Sequence, residues 1–321
     1  MPKTLITGGA GFIGSHLCEA LLAQGDQVVI VDNFDAFYPA ELKHRNLRAA
    51  RQSPGLRLHH VDIRNAGALN SVFEAERPSS VVHIAARAGV RDSLSNPGIY
   101  LDVNVNGTLN VLEAMRKNQI RRLVFASSSS VYGGVRETPY QESQLIVPIS
   151  PYAASKVAGE ALCSAYAEAW GFNVVCCRFF TVYGPRQRPD MAIAKFARLM
   201  EAGQPIKVFG DGTTARDYTF VADIVGGITK ALSLNCKYEV INLGSMAPIP
   251  LSRVIQALSS SLEITPAINY LPVPPGEPLV TLASTAKANR LLGWEPKTEF
   301  ESGIHQYIAW HKSNRSNAVA A

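Results

Sequence analysis

A glycine-rich turn near the amino end constrains the fold of this chain more than any other feature. The segment from Thr7 to Gly14 reads TGGAGFIG, and it lies between a short apolar run and a helical pattern. Its GxxGxxG spacing differs by one residue from the GxGxxG dinucleotide fingerprint. Glycines let a backbone approach a pyrophosphate, whose charge the amino end of a helix stabilises. Such a turn is often only a turn, but this strand-turn-helix context predicts a cofactor site with contacts from Gly8, Gly11, Phe12 and Ile13.

Short apolar runs alternate with helical patterns along the chain, beginning with a helix expected over Ile13–Gln24. This alternation predicts parallel βαβ units, and continuous apolar runs indicate strands that are buried on both faces. The expected strands are Thr4–Thr7, Gln27–Asp32, Val81–Ile84, Leu123–Ala126, Val174–Arg178 and Tyr238–Leu243. We therefore expect an α/β fold with a Rossmann-type doubly wound parallel sheet and a smaller C-terminal α/β substrate-binding lobe.

The length of 321 residues exceeds the usual size of one domain. Residues 1–185 are expected to form the cofactor-binding domain, with a returning segment near 215–245. The segment from residue 186 to 321 is richer in Pro, Gly and short elements, and it is expected to form most of the second lobe.

Residues after the expected strands extend the predicted cofactor site. Asp32 ends the second strand about 20 residues beyond the glycines, where a carboxylate binds the adenosine ribose and repels a 2′-phosphate, so NAD is favoured over NADP. A solvated turn aspartate is the alternative for this position alone. We assign further cofactor contacts to Asn33, Lys43, Asp62, Ile63, Ala85, Ala86 and Asn104. His83 is interpreted as a hydrogen-bonded core histidine.

Composition narrows the possible partners. The hydrophobic fraction of 47% and the charged fraction of 18% are typical of a globular protein. The formal charge of +5 comes from scattered Lys and Arg residues, so no nucleic-acid partner is expected. We expect no membrane segment, no metal site, free thiols for the five cysteines and a cytoplasmic location.

A tyrosine and a lysine indicate acid-base chemistry. Tyr152 and Lys156 are spaced i and i+4, on one face of a helix. The ordinary pKa of tyrosine is about 3 units above neutrality, which corresponds to roughly 4 kcal/mol. A positive charge about 4 Å away contributes on the order of 4 kcal/mol at an effective dielectric constant of about 20. The pair is therefore competent as a general base, although YxxxK also occurs by chance as an exposed helix pair.

Several motifs taken together resemble the extended short-chain dehydrogenases. They are TGGAGFIG, HIAA at 83–86, SSSSVYG at 127–133, PYAASK at 151–156 and RFFTVYGPRQRPDM at 178–191. The resemblance implies a tightly held NAD, with Tyr152 as the base, Lys156 as the residue that binds the ribose and lowers the pKa of the tyrosine, and Ser128 as the partner of the reacting hydroxyl. It also implies C4 epimerisation of a UDP-hexose through a transient 4-keto sugar, without net redox change.

The branch within this family rests on a few positions. Dehydratases and UDP-glucuronate decarboxylases carry a carboxylate before VYG, where this chain has Ser129 and Ser130. Thr181 replaces an asparagine that many neutral-sugar epimerases carry, and RPDM from Arg188 is similar to epimerases that act on UDP-glucuronate. We expect UDP-glucuronate as substrate, with UDP-glucose or UDP-N-acetylglucosamine as the alternative. Decarboxylation and a non-catalytic NAD-binding scaffold are the other hypotheses.

The resemblance also assigns the UDP half of the substrate and the assembly. Arg216 matches a diphosphate-binding arginine, Arg91 and Arg188 are carried over as substrate contacts, and Glu277 matches the residue that binds the uridine ribose. Arg87 replaces a smaller or neutral residue of that branch. Helical segments near 104–117 and 152–170 match a four-helix dimer interface, so a homodimer is expected.

Overall fold

The computed structural model describes residues 1–272 and 278–319, with side chains described up to residue 314. Its centre is a parallel sheet of seven strands in the order β10-β6-β5-β4-β1-β2-β3. These strands are β1 (Lys3–Thr7), β2 (Gln27–Asp32), β3 (Leu56–His60), β4 (Ser80–His83), β5 (Arg122–Ser128), β6 (Asn173–Phe179) and β10 (Tyr238–Leu243). The expected doubly wound α/β fold is confirmed.

Helices cover both faces of this sheet. On one face, α1 (Phe12–Ala23) packs against α9 (Val221–Ser233); on the other, α3 (Ala66–Glu76), α6 (Gly107–Lys117) and α7 (Pro151–Trp170) form a layer. Short helices α2 (Ala40–Asn46), α4 (Val90–Ser95) and α5 (Pro97–Leu101) lie in the connections. Three single turns complete them, at Ala50–Gln52, Asp102–Asn106 and Ser129–Tyr132.

The apolar runs of the central strands form the core. Val28 to Val31 of β2 and Leu123 to Phe125 of β5 are at most 2% exposed, because helices cover both faces of the strands. Side chains that point to one face pack with α1 and α9, and those that point to the other pack with α3, α6 and α7. Each fully buried side chain of this size contributes on the order of 1.5 to 3 kcal/mol.

The strand order places a crevice at the carboxyl end of β1. Thr7, the last residue of β1, pairs with Val31 of β2 on one side and with His83 of β4 on the other. On one side of β1 the sheet continues through β2 to β3, and on the other side it continues through β4 to β5. Ligands of open α/β sheets bind at such a topological switch point. The segments after β1, β2 and β4 therefore meet at one edge of the sheet.

Most elements that follow β6 in the chain form a smaller lobe, whereas β10 belongs to the central sheet. A three-stranded sheet contains β7 (Thr181–Tyr183), β9 (Ala215–Phe220) and β11 (Pro248–Pro250), and β8 (Ile206–Phe209) pairs with β12 (Ile268–Leu271). Its helices are α8 (Ala192–Glu201), α10 (Leu251–Leu262), α11 (Ala286–Leu292) and α12 (Phe300–Val319). The domain limits given above stay a prediction.

Two further observations concern the whole described chain. Over residues 1–272 and 278–319, we find no helix with the length and apolar character needed to span a bilayer. All five cysteines are free thiols, and four of them are buried.

Candidate active site

The glycine turn packs directly against the backbone that follows β4. Gly8 has a φ of +71°, and a Cβ atom there would lie 2.8 Å from the backbone of Ala85. A Cβ on Gly14 would lie 2.3 Å from the carbonyl oxygen of Gly8. Within the described structure, no side chain caps the amino end of α1. The first residues of α1 line the crevice, and their uncapped N–H groups suit an anion.

Asp32 joins the end of β2 to the glycine turn. Its carboxylate is 7% exposed and accepts hydrogen bonds from the N–H groups of Ala10, at 3.0 Å, and Phe34, at 2.8 Å. Next to it, the side-chain amide of Asn33 donates to Asp62 at 2.8 Å. Hydrogen bonds from Arg64, opposed by partial burial, lower the pKa of Asp62 to about 2. The carboxyl ends of β2 and β3 thus present two fixed carboxylates.

The sequence around Tyr152 fixes where α7 begins. The Ser150 hydroxyl accepts a hydrogen bond from the N–H of Ala153 at 3.1 Å, and Pro151 occupies the first helical position. Tyr152 and Lys156 follow on one face, one turn apart. The Lys156 side chain is 4% exposed, and its ammonium donates to the carbonyl oxygen of Ala126 at 2.7 Å. Burial lowers the pKa of Lys156 to about 8.

The Tyr152 phenol lies beside the Ser128 hydroxyl. Burial raises the pKa of Tyr152, whereas a hydrogen bond with Ser128 and the positive charge of Arg188 lower it. Ser128 is the last residue of β5, and its oxygen accepts the N–H of Ser130 at 3.2 Å. The end of β5 and the start of α7 thus bring the serine hydroxyl and the phenol together in one cleft.

A single cleft of about 380 Å³ brings most predicted residues together. It has one end at the glycine turn and the other at Tyr152 and the hydroxyl residues. The predicted residues that line it are Gly8, Gly11, Phe12, Ile13, Asp32, Asn33, Lys43, Asp62, Ile63, Ala85, Ala86, Ser128, Ser129, Ser130, Tyr152, Lys156, Thr181 and Arg188. Their binding roles stay predictions, but the geometry assembles them in one place.

Asn104 lies behind the cleft, in a buried hydrogen-bond network. It is 2% exposed, and its side chain bonds to the backbone N–H and carbonyl of Arg87 and donates to the Ser155 hydroxyl. The Thr108 hydroxyl donates to the Asn104 carbonyl, so His83 donates to Thr108 through Nε2, at 2.9 Å. The interpretation of His83 as a hydrogen-bonded core histidine is confirmed, since it is 1% exposed and burial lowers its pKa to about 3.

Two predicted substrate residues within the described part of the chain, Arg91 and Arg216, do not line this cleft. The guanidinium of Arg91 lies 4.5 Å from the ring centroid of Phe209, in the smaller lobe. Arg216 donates to the carbonyl oxygens of Ala215, at 3.0 Å, and Leu279, at 3.4 Å. Glu277 lies outside the described residues.

The cleft also contains residues that the sequence analysis did not assign. Asp35, Phe37 and Tyr38 line it from the loop after β2, and Phe179, Phe180, Val182 and Met191 line it near Thr181. The loop residues directly follow Asp32 and Asn33, so their position in the sequence, next to two predicted cofactor contacts, could have identified them. The apolar residues lack a signal in the sequence, because they resemble ordinary core residues.

Comparison with known proteins gives the family. A family model described as GDP-mannose 4,6 dehydratase matches residues 5–307. The chain belongs to the extended short-chain dehydrogenase/reductase family. The predicted resemblance is therefore confirmed over nearly the whole chain.

Three relatives within this family match nearly the whole chain. A UDP-glucuronate 4-epimerase of Thermodesulfobacterium geofontis is 41% identical over 311 residues, which cover 97% of this chain and 96% of that protein. The crystal structure of UDP-glucuronic acid 4-epimerase from Bacillus cereus, in complex with UDP-glucuronic acid and NAD, is similar with a TM-score of 0.92 and 35% identity, covering 97% of this chain and 99% of that one. A Thermotoga maritima UDP-glucose 4-epimerase with UDP-glucose has a TM-score of 0.90 and 29% identity, covering 98% and 99%.

Proposed function

We propose that this protein is an NAD-dependent UDP-glucuronate 4-epimerase, an isomerase that interconverts UDP-glucuronate and UDP-galacturonate. The observation that carries the proposal is that Tyr152, Lys156 and Ser128 line the same cleft as the glycine turn. The relatives from T. geofontis and B. cereus support the acidic sugar.

The residues at the glycine end fit NAD. A Cβ at Gly8 or Gly14 would collide with backbone, so the turn leaves its surface free for a pyrophosphate. Asp32 ends β2 at the place where the adenosine ribose hydroxyls bind in such folds, and its negative charge disfavours a 2′-phosphate. Lys156, one turn after Tyr152 on α7, is proposed to bind the nicotinamide ribose. When bound, NAD supplies the hydride acceptor for C4.

The chain's own groups move the proton. Tyr152 removes the proton from the 4-hydroxyl of the sugar, while Ser128 hydrogen-bonds the same oxygen and keeps it oriented. The positive charge of Arg188 favours the phenolate, and we infer the same effect for Lys156. After the 4-keto sugar rotates in the cleft, Tyr152 returns the proton to the oxygen at C4 as C4 regains the hydride on its other face, which inverts the configuration.

The hydroxyl cluster supports an acidic sugar and argues against dehydration. Ser128, Ser129, Ser130 and Thr181 line the same end of the cleft and offer several hydrogen bonds to a carboxylate. Although the matching family model is described as a dehydratase, Ser129 and Ser130 replace the carboxylate that dehydration requires.

Proton NMR of the purified protein with UDP-glucuronate, without added NAD, tests this proposal. We expect a UDP-galacturonate anomeric signal that grows to equilibrium without a pentose, and no signal with Tyr152→Phe, which keeps the ring and loses the base. Conversion of UDP-glucose but not of UDP-glucuronate would instead assign the protein to the neutral-sugar branch of the family. A UDP-pentose product would identify a decarboxylase.

We also infer a homodimer that forms through α6 and α7. Leu109 of α6 is 38% exposed and Trp170 of α7 is 41% exposed, which is high for large apolar side chains. The Arg116 guanidinium lies 5.7 Å from the Trp170 ring, so the two helices present one continuous surface. Light scattering should give twice the chain mass, and Leu109→Glu should give a monomer.

The five free thiols support a reducing, cytoplasmic location.

A further inference from the structure

An ion pair joins the loops that follow β2 and β4. The guanidinium of Arg87 lies 2.5 Å from the Asp35 carboxylate, and both side chains line the cleft. Since β1 lies between β2 and β4 in the sheet, the bridge connects the two loops across the end of β1, where the glycine turn begins. The bridge and the glycine turn therefore line the same cleft.

Hydrogen bonds within the chain hold both partners in place. The Asp35 carboxylate accepts the N–H of Phe37 at 2.9 Å, and the Lys43 ammonium donates to the Asp35 carbonyl at 2.9 Å. On the other side, Asn104 bonds to the backbone N–H of Arg87 at 2.7 Å and to its carbonyl at 2.9 Å. The bridge therefore costs little additional ordering when it closes.

An aromatic ring strengthens the contact. The Arg87 guanidinium lies 4.3 Å from the centroid of the Phe37 ring, and the Arg188 guanidinium lies 5.6 Å from the same centroid. Arg188 is itself paired with Asp190 at 2.7 Å. Cation–π attraction adds to the ion pair, and both are stronger where the side chains are partly shielded from water. The Arg87 side chain is 25% exposed.

We propose that Arg87 is a retention residue for the cofactor, whose bridge to Asp35 closes the crevice over the NAD pyrophosphate and slows NAD release. This inference rests on the proposed function. An epimerase must return to C4 the hydride that it removed, so release of the cofactor in mid-turnover would abort the reaction. A bridge between two loops meets this need, because it must open before NAD leaves.

The test measures NAD release from the purified holoenzyme. The holoenzyme is mixed with alcohol dehydrogenase and ethanol, which convert free NAD to NADH, so NADH absorbance reports the release rate. We expect release about tenfold faster from Arg87→Gln and from Asp35→Asn, and no faster from the double variant than from either single one. Arg87→Lys, which keeps the charge, should fall between wild type and Arg87→Gln. Added salt should speed release from wild type more than from Arg87→Gln.

A surface ion pair provides the control. Arg253 pairs with Glu301, and these side chains are 49% and 45% exposed, so Arg253→Gln should release NAD at the wild-type rate. If Arg87→Gln released NAD at the wild-type rate, the retention role would be overturned and the proposed function would stand. The same would follow if the effects of the Arg87 and Asp35 substitutions on the release rate multiplied in the double variant. A wild-type protein that binds no NAD would overturn both.

Discussion

The Ser127 hydroxyl donates a 2.5 Å hydrogen bond to the carboxylate of Glu160. The same carboxylate accepts two hydrogen bonds from Arg178 of β6, at 2.8 and 2.7 Å, and Glu160 and Arg178 are at most 5% exposed. Ser127 precedes Ser128 on β5, and Glu160 lies one turn after Lys156 on α7. One buried ion pair therefore fixes the strand and the helix that carry the proposed chemistry.

We predict that Glu160→Gln destabilises the protein by about 3 to 5 kcal/mol, because it leaves Arg178 buried without its counter-charge. Urea unfolding measures this loss as a lower midpoint. The double substitution Glu160→Leu with Arg178→Met removes both charges and should cost less than Glu160→Gln alone. A double variant that is less stable than the single one would contradict this account of the pair.

Ser128→Ala should shift the pH profile of turnover as well as slow it. The hydrogen bond from Ser128 lowers the pKa of Tyr152, so its loss raises that pKa and moves the rising limb of kcat/KM to higher pH. We expect kcat to fall roughly a hundredfold at neutral pH. Ser71→Ala, at an exposed hydroxyl of α3, is the control. An unshifted profile in Ser128→Ala would argue against contact between the hydroxyl and the base.

His83 should make the fold sensitive to acid. Burial lowers the pKa of His83 to about 3, whereas an unfolded histidine titrates near 6.5. Between these values the unfolded chain binds the extra proton, so stability falls as the pH falls below about 6.5, by roughly 1 kcal/mol per pH unit from this group. Unfolding midpoints at several pH values measure the slope, which should be shallower in His83→Gln. An equal slope in both proteins would assign the acid sensitivity to other groups.

Gly14→Ala should weaken NAD binding about 10- to 100-fold, because the new methyl group meets the Gly8 carbonyl and the Gly9 backbone, which cannot move aside without deforming the turn. Calorimetric titration with NAD, after the bound cofactor has been stripped from the protein, measures the change. Gly67→Ala is the matched control: the nearest atom to a Cβ there is 3.7 Å away. That variant should bind NAD normally and gain about 0.5 to 1 kcal/mol of stability. Normal binding by Gly14→Ala would refute the steric role.

Local patterns in the sequence were sufficient for the fold and for one half of the site. Period and composition predicted six of the seven strands of the central sheet, and the first helix was expected over Ile13–Gln24 and spans Phe12–Ala23. The glycine turn, Asp32 and the Tyr152–Lys156 pair were predictable because each depends on residues close together in the chain or on one strand end. The cap formed by Ser150 and Pro151 fixes the phase of α7 in the same local way.

Tertiary structure alone decided which distant residues meet. The bridge from Arg87 to Asp35, the hydrogen bond from Ser127 to Glu160 and the location of Asn104 behind the cleft each join segments that are 17 to 52 positions apart. The same holds for Arg91 and Arg216, which a family pattern assigned to the substrate and which lie outside the described cleft. The sequence determined the strands, the turn and the chemical groups, because these follow from local spacing. The order of the strands decided which groups share a cleft, because that order depends on packing across the whole sheet.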